Sequence, residues 1–382
     1  MRIRRAAIFL CGLLFLGCHV MASYISGDAR APAGSDLGAD ATRDVPNPSD
    51  TRADGVLDAP RASADTGHDA RRPRPDYRPE ARLPFRDLGT TACASGTWCS
   101  MSNPASSLYD LRSVWGTASN DVWAVGDGGT ILHFNGTTWV RVNSGTSSNL
   151  RAVWGVAPKR VWAVGEKGTL LEYNGGSWST RPVLVGRTYN GVGGGSAIYA
   201  VGEQLNSGYA EQLHPISSTR SDPATLRYNA IWGVGATVYV VGQTSTAIGR
   251  MYKVGTGGWT SVSLPATAGV LYGIWGTPAL ERVVVVGFDI GKGSVLEFNS
   301  GAWTITRQAT GRPLYGVGGG AKDLIYAVGQ GGFIWRCKSA SVPCKPWVPE
   351  ASGVVADLYS VWAPNTSVVF AVGAKGTILR KR

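Results

Sequence analysis

Beyond residue 88 the chain repeats itself seven times, and that repetition restricts the fold more than any other feature. Two copies are close to identical in pattern: "LRSVWGTASNDVWAVGDGGTILHFNGTTW" from Leu111 and "LRAVWGVAPKRVWAVGEKGTLLEYNGGSW" from Leu150. Weaker copies begin at Tyr189, Tyr228, Leu271, Leu314 and Leu358, so successive copies are 39, 39, 39, 43, 43 and 44 residues apart. A unit of this length, read as four short strands, cannot bury its apolar faces alone; neighbouring copies must cover them. Seven units at this period predict an all-β, seven-bladed β-propeller with one four-stranded sheet per copy.

Each copy has the same internal order. An innermost strand a ("SVWG", "AIWG", "GIWG") leads to a strand b ending in "AVG" or "VVG" in all seven copies. The Gly there is expected to take a positive φ as the chain reverses into strand c ("TILHF", "TLLEY", "SVLEF"). Strand d is usually marked by Trp, at positions 139, 178, 259, 303 and 347. The third copy lacks that Trp and runs through "HPISSTRSDPAT", which leaves its outer strand open. The last copy ends after "TILRKR" with no strand d, while "SGTWCSM" just before the first copy reads as a strand d without its blade. The expectation is a ring closed by the strand around Trp98, which covers the sheet edges an open array would leave. Trp115, Trp154, Trp232, Trp275 and Trp362 on strand a, with Trp123 and Trp162 on strand b, read as packing between blades, each burying on the order of 150–250 Å².

Three regions follow: a signal at 1–18, a low-complexity tether at 19–88 and the propeller at 89–382. "MRIRR" followed by "AAIFLCGLLFLG" is a basic run and an apolar run too short to span a membrane. Its end, "LLFLGCHV", resembles a bacterial lipoprotein signal, which implies cleavage before Cys18 and lipidation of that residue. Phe15 stands where that family carries Leu, and ordinary cleavage giving a free secreted protein is the competing reading. His19 rather than Asp after the Cys points, by the same resemblance, to the outer membrane. The tether holds twelve acids, ten Arg and only Tyr24, Tyr77 and Phe85 as aromatics, too little apolar surface to offset ordering entropy. Four cysteines remain after Cys11 and Cys18. They form two close pairs, Cys93 with Cys99 and Cys337 with Cys344, at spacings that suit disulfides across hairpins in an oxidising compartment. Each small loop closed in this way adds roughly 2–3 kcal/mol in the chain-entropy picture. Zinc is the alternative, but neither spacing is that of a zinc knuckle and no His is close by.

The unit "VWAVGDGGTILHFNGTTW" resembles the BNR-like repeats of the photosystem II assembly-factor type, and also repeats of bacterial secreted propellers. The resemblance spans about 290 residues and implies fold rather than activity. The sialidase Asp-box survives only as "NGTTW" and "NSGAW", without the Asp.

Chemistry is sparse. Four His, at 19, 68, 133 and 214, make neither a metal cluster nor a base–nucleophile pair. "GVGGG" at 191–195 is not a phosphate loop, since no helix follows. No cofactor is expected. The rims remain. The residue opening strand a is, in order, Arg112, Arg151, Asn190, Asn229, Tyr272, Tyr315 and Tyr359. The b–c turns add Asp127, Glu166, Glu203 and Asp289. Core positions keep their residue type from copy to copy, whereas these change it, as the mouth of a binding face would. Because strand side chains alternate, the sequence leaves open whether they face the channel or lie between blades. Copies three to five carry the longer b–c segments ("EQLNSGYAE", "QTSTAIG", "FDIGKG"), which places the expected ligand patch over them.

The propeller carries 24 Lys/Arg against 14 Asp/Glu, net +10. Its expected partner is an envelope protein or an acidic polysaccharide, with the membrane reached through an N-terminal lipid, no nucleic acid, and a monomeric chain. The leading reading is a non-enzymatic envelope binding or scaffolding lipoprotein. A lectin-like propeller is the second, and a diverged sialidase-like glycoside hydrolase the third.

Overall fold

The computed structural model describes residues 94–382 except 106, 183–185, 215, 223–224, 256–257, 300 and 308–310. The signal, the tether, Cys18 and Cys93 lie outside the described residues. Among the described residues all strands fall into seven four-stranded antiparallel sheets, each ordered a-b-c-d from the centre outwards. Blade one comprises Leu111–Ala118, Asp121–Gly126, Thr130–Phe134 and Trp139–Val142. The fourth strand of blade seven is Trp98–Ser100, which pairs with Ile378–Lys381 in the register Trp98↔Lys381, Cys99↔Arg380, Ser100↔Leu379. The chain thus closes the ring with the segment around Trp98. Blade three has an outer strand, Ile216–Asp222, paired to Ser207–His214 despite its missing Trp.

The core is seven clusters, each between two consecutive blades. Strand b explains why. In "DVWAVG", Val122 and Ala124 pack with Phe370 and Val372 of blade seven, while Trp123 and Val125 pack with Val153 and Val161 of blade two. Both faces are covered, so this strand reads as an unbroken apolar run instead of an alternating one. The strand-a Trp residues make a second, lateral lock. A Cβ on Gly116, Gly155, Gly276 or Gly319 would lie 2.7–3.0 Å from the indole of Trp362, Trp115, Trp232 or Trp275 on the preceding blade. The pair "WG" is therefore one half of two joints: the Trp fills the space that the next blade's Gly leaves empty.

The Gly closing strand b works differently from the sequence expectation. Gly126 has φ −168°, ordinary extended backbone, and its counterparts at 165, 329 and 373 are alike. Its smallness is needed for close approach: a Cβ there would sit 2.0 Å from the Asp110 carbonyl oxygen on the way into strand a. The left-handed positions fall two and three residues later, at the second and third residues of the tight b–c turns, such as Gly128 (φ 62°) and Gly129 (φ 68°).

Cys337 and Cys344 form a disulfide across the c–d connection of blade six, with Cα atoms 6.1 Å apart. Cys99 is also disulfide-bonded. Beside the blade-six bridge lies a buried ion pair. Arg282 of blade five donates to Glu297 at 2.5 and 3.1 Å, and both side chains are essentially inaccessible, at 1% and 0%. Glu297 also accepts from the Cys344 backbone N–H and from the Trp347 indole at 3.0 Å. Arg282 uses its remaining nitrogen on the carbonyls of Lys322 and Ser339. One carboxylate thus ties blade five to the outer half of blade six.

Candidate functional site

All seven residues that open strand a are held by the same backbone irregularity. In every blade the a–b pairing slips by one residue at this point: Leu111 pairs with Gly126 but Ser113 with Val125, and Arg112 is left over. The same slip leaves out Arg151, Asn190, Asn229, Tyr272, Tyr315 and Tyr359. A β-bulge takes one residue out of the alternation and re-aims its side chain. The left-over side chains meet groups of the adjacent blades at the end of the ring where the b–c turns and d–a connections lie.

Their contacts run around that mouth. Tyr272 and Tyr315 have ring centroids 5.6 Å apart, and so do Tyr315 and Tyr359. The Arg112 guanidinium lies 4.7 Å from the Tyr359 ring centroid. Arg112 donates to both oxygens of Asp127 at 3.0 and 2.8 Å and meets Asp110 at 3.1 Å. Arg151 donates to Glu166 at 2.6 Å and to the Asn190 side-chain oxygen at 3.2 Å. Asn190 and Asn229 donate onwards to backbone carbonyls of the next blade, Tyr228 at 2.9 Å and Leu271 at 2.7 Å. The two amides therefore line the mouth and fasten blades at once. The mouth has an aromatic arc over blades five to seven and a paired-charge arc over blades one and two.

Burial lifts the Tyr359 hydroxyl to about 12; Asp110 adds to the rise and Arg112 opposes it. Burial likewise raises Tyr272 and Tyr315, the latter helped by Asp357. For Arg112 burial alone would lower the pKa, but the bonds to Asp127 and the charge of Asp110 outweigh it and the net direction is upwards. The fold thus favours the neutral Tyr359 phenol. That contribution is complete below the ordinary value of 10 and is lost as pH rises through about 12. Asp110→Asn is expected to bring phenolate formation at Tyr359 to lower pH, read by ultraviolet difference absorbance with Tyr359→Phe to assign the signal. A titration unmoved by Asp110→Asn would remove that carboxylate from the account.

Asp127 and Glu166 sit at the mouth, and Glu203 follows the strand-b Gly at the equivalent place in blade three, half-buried. Asp289 is different. Phe288, not Asp289, occupies the position equivalent to Asp127, and one further step along the strand points Asp289 the other way. There it is nearly buried and bonded to Arg307 of its own outer strand at 2.5 and 2.8 Å. It does not join the mouth group.

The longer b–c segments are not all long loops. In blade three the extra residues lengthen the hairpin, Glu203↔Gly208 and Gln204↔Ser207, and a two-residue turn closes it with Leu205 and Asn206 left-handed. Blade five does the same with Ile290 and Gly291. Blade four alone of the three has a true loop, residues 244–248. The tips are apolar and exposed: Leu205 at 86%, Ile290 at 71% and Ile248 at 47%. Leu108 and Val355, in d–a connections of the same face, are more than four-fifths exposed as well.

One set of residues on this face carries no evident signal in the sequence. Asp110, Asn149 and Asp357 directly precede strand a, and each accepts a backbone N–H from the preceding blade's tight b–c turn: Lys375 at 3.0 Å, Gly128 at 2.9 Å and Gly331 at 2.7 Å. Their only mark there is an Asp or Asn before "LR" or "LY" in three copies. Among the described residues no group of His, Cys, Asp and Glu is placed to hold a metal ion. His133 is hydrogen-bonded to Asp121 at 2.7 Å and stacked on Trp123, away from the mouth.

No family model matches the sequence, and no curated protein matches it. Solved structures do. YCF48 from Cyanidioschyzon merolae aligns with TM-score 0.57 at 16% identity over 75% of this chain and 98% of its own. A structure of YCF48 bound to D1 peptide aligns with TM-score 0.56 at 16% identity over 74% and 96%. A catalytically inactive virginiamycin B lyase from Staphylococcus aureus, with quinupristin, aligns with TM-score 0.56 at 12% identity over 74% and 98%. At such identities the likeness speaks for architecture alone: this chain is a seven-bladed β-propeller, similar in fold to a peptide-bound propeller and to a lyase.

Proposed function

We propose that this protein is a non-enzymatic binding or scaffolding protein of the cell envelope that seats a partner protein on the b–c/d–a face. The observation that carries the reading is the set of seven bulges at the same end of the ring, which leave seven side chains of varied chemistry outside the ladder there. Isolated large apolar side chains on the crown of that face favour a protein over a sugar as the main occupant, since buried apolar anchors dominate protein interfaces. The peptide-bound YCF48 neighbour supports the same reading. In this proposal the signal at 1–18 is removed, Cys18 carries lipid, and residues 19–88 link the propeller to the outer membrane. Without lipid on Cys18 the same protein is freely secreted.

The test is a pull-down from envelope extract with the full-length tethered protein, at low and high salt. Capture that survives high salt and falls about tenfold in a Leu205→Asp/Ile290→Asp variant supports the proposal. Capture indifferent to the double substitution places the partner elsewhere. The lectin reading rests on the Tyr272–Tyr315–Tyr359 arc; glycan-array binding abolished by Tyr315→Ala would favour it. Turnover of a glycoside lost on substituting Asp127, Glu166 or Glu203 would favour the hydrolase.

A further inference from the structure

On the opposite face, where strands a and b and strands c and d are joined, blades six and seven part to leave a recess of about 550 Å³. Four cations surround it: Arg336 and Lys338 from blade six, Lys381 and Arg382 from blade seven. Glu350, behind the recess, holds two of them, Lys381 at 2.6 Å and Arg336 at 2.9 Å. Asp323 is the one acid in the lining. Counting side chains alone, the four cations exceed these two carboxylates by two positive charges. Lys338 and Arg382 are exposed, and the Arg336 Nε is buried without a hydrogen-bond partner. The rest of the polar lining is hydroxyl: Ser95, Thr366 and Ser367.

We infer that this recess is a second binding site, separate from the mouth, for an anionic group carried on a hydroxylated scaffold, that is, an acidic sugar unit of a glycan. The volume lies within the range of small-molecule pockets, roughly 300–1,000 Å³. The chemistry selects the class. Cations fixed by Glu350 provide a preorganised positive wall, to which a carboxylate or phosphate adds charge-assisted hydrogen bonds. The hydroxyls and Asp323 supply both donors and acceptors, which matches sugar hydroxyls and is superfluous for a bare anion. The concave shape disfavours a flat bilayer surface, which protruding cations would serve better. Lys381 also lies 5.9 Å from the Trp98 ring centroid, so the site is built on the closing strand itself and exists only in the finished ring.

Calorimetric titration of the full chain tests this with four probes: a galacturonate tetramer, a phosphorylated monosaccharide, the uncharged galactose tetramer and anionic lipid vesicles. Binding of the uronate, the sugar phosphate or both, without the uncharged tetramer, is the expected result, and the pattern identifies which anion is carried. A Lys338→Glu/Arg382→Glu variant, altered only at exposed positions, is expected to bind about tenfold more weakly. Leu205→Asp on the far face leaves the affinity unchanged. The inference is overturned if neither anionic sugar binds, if vesicles bind while both sugars do not, or if the double variant binds as well as the parent.

Discussion

Glu297→Ala is expected to destabilise the propeller by about 3–5 kcal/mol, the cost of leaving one partner of a buried pair uncompensated. Arg282 would keep its charge at a site where only 1% of its side chain meets solvent. The Cys344 N–H and the Trp347 indole would lose their acceptor as well. The whole network sits between blades five and six, so its loss weakens a joint and not merely a surface. Glu297→Gln keeps the shape and one acceptor oxygen and should fall between parent and Ala variant. Urea unfolding with the disulfide intact measures both. A loss below about 1 kcal/mol, typical of exposed ion pairs, would show that water reaches the pair.

Trp98→Ala is expected to cost a similar amount, about 3–5 kcal/mol, and to change the protein's size in solution. Trp98 packs edge-on against Tyr326 at 5.6 Å and donates to Glu350 at 2.8 Å. Through Glu350 it is joined to Lys381 and Arg336. The closing strand is short, three paired residues with Gly96 and Met101 bonding the ends of the same edge, and the Trp is its one large buried side chain. Once loosened, Ile378–Lys381 becomes an uncovered sheet edge, and such edges recruit other chains. Light scattering alongside unfolding should show association in the variant. A monomer of parental stability would mean that the ring holds without its clasp.

The blades were legible because their cause is local and repeated. "VWAVG" has an unbroken apolar run only because both faces of strand b are covered, and the return of an apolar run ending in "AVG" or "VVG" in all seven copies leaves few folds to consider. The closing strand was legible by subtraction, since a unit lacking strand d and a strand d lacking a unit fit together. The mouth was legible as a set of variable positions but not as a direction. The bulged position has no single residue signature when Arg, Asn and Tyr all occupy it. The recurrence of Gly126 is visible in the sequence but its cause is not: the Asp110 carbonyl beside it is a contact that sequence does not display. Asp289 was misplaced by one step, which in a strand is a reversal of face. The Arg282–Glu297 pair could not be found at all, because fifteen residues and a turn separate two ordinary charges until the fold brings them together.

The slipped register has a consequence for how such a ring changes over time. A residue within a strand is bound to the packing on its side of the sheet, and replacing it disturbs two blades. The odd residue of a bulge is freed from the ladder, which closes on either side of it, and is held only by the contacts its own side chain makes. Seven such places stand at one end of the ring, one per blade, outside the ladder of backbone pairs, and what ties them to the framework is side-chain bonding such as that of Asn190 and Asn229 to the next blade. The propeller in this respect works like a dial of seven letters, read in neighbouring pairs where side chains touch, and its present spelling is Arg-Arg-Asn-Asn-Tyr-Tyr-Tyr.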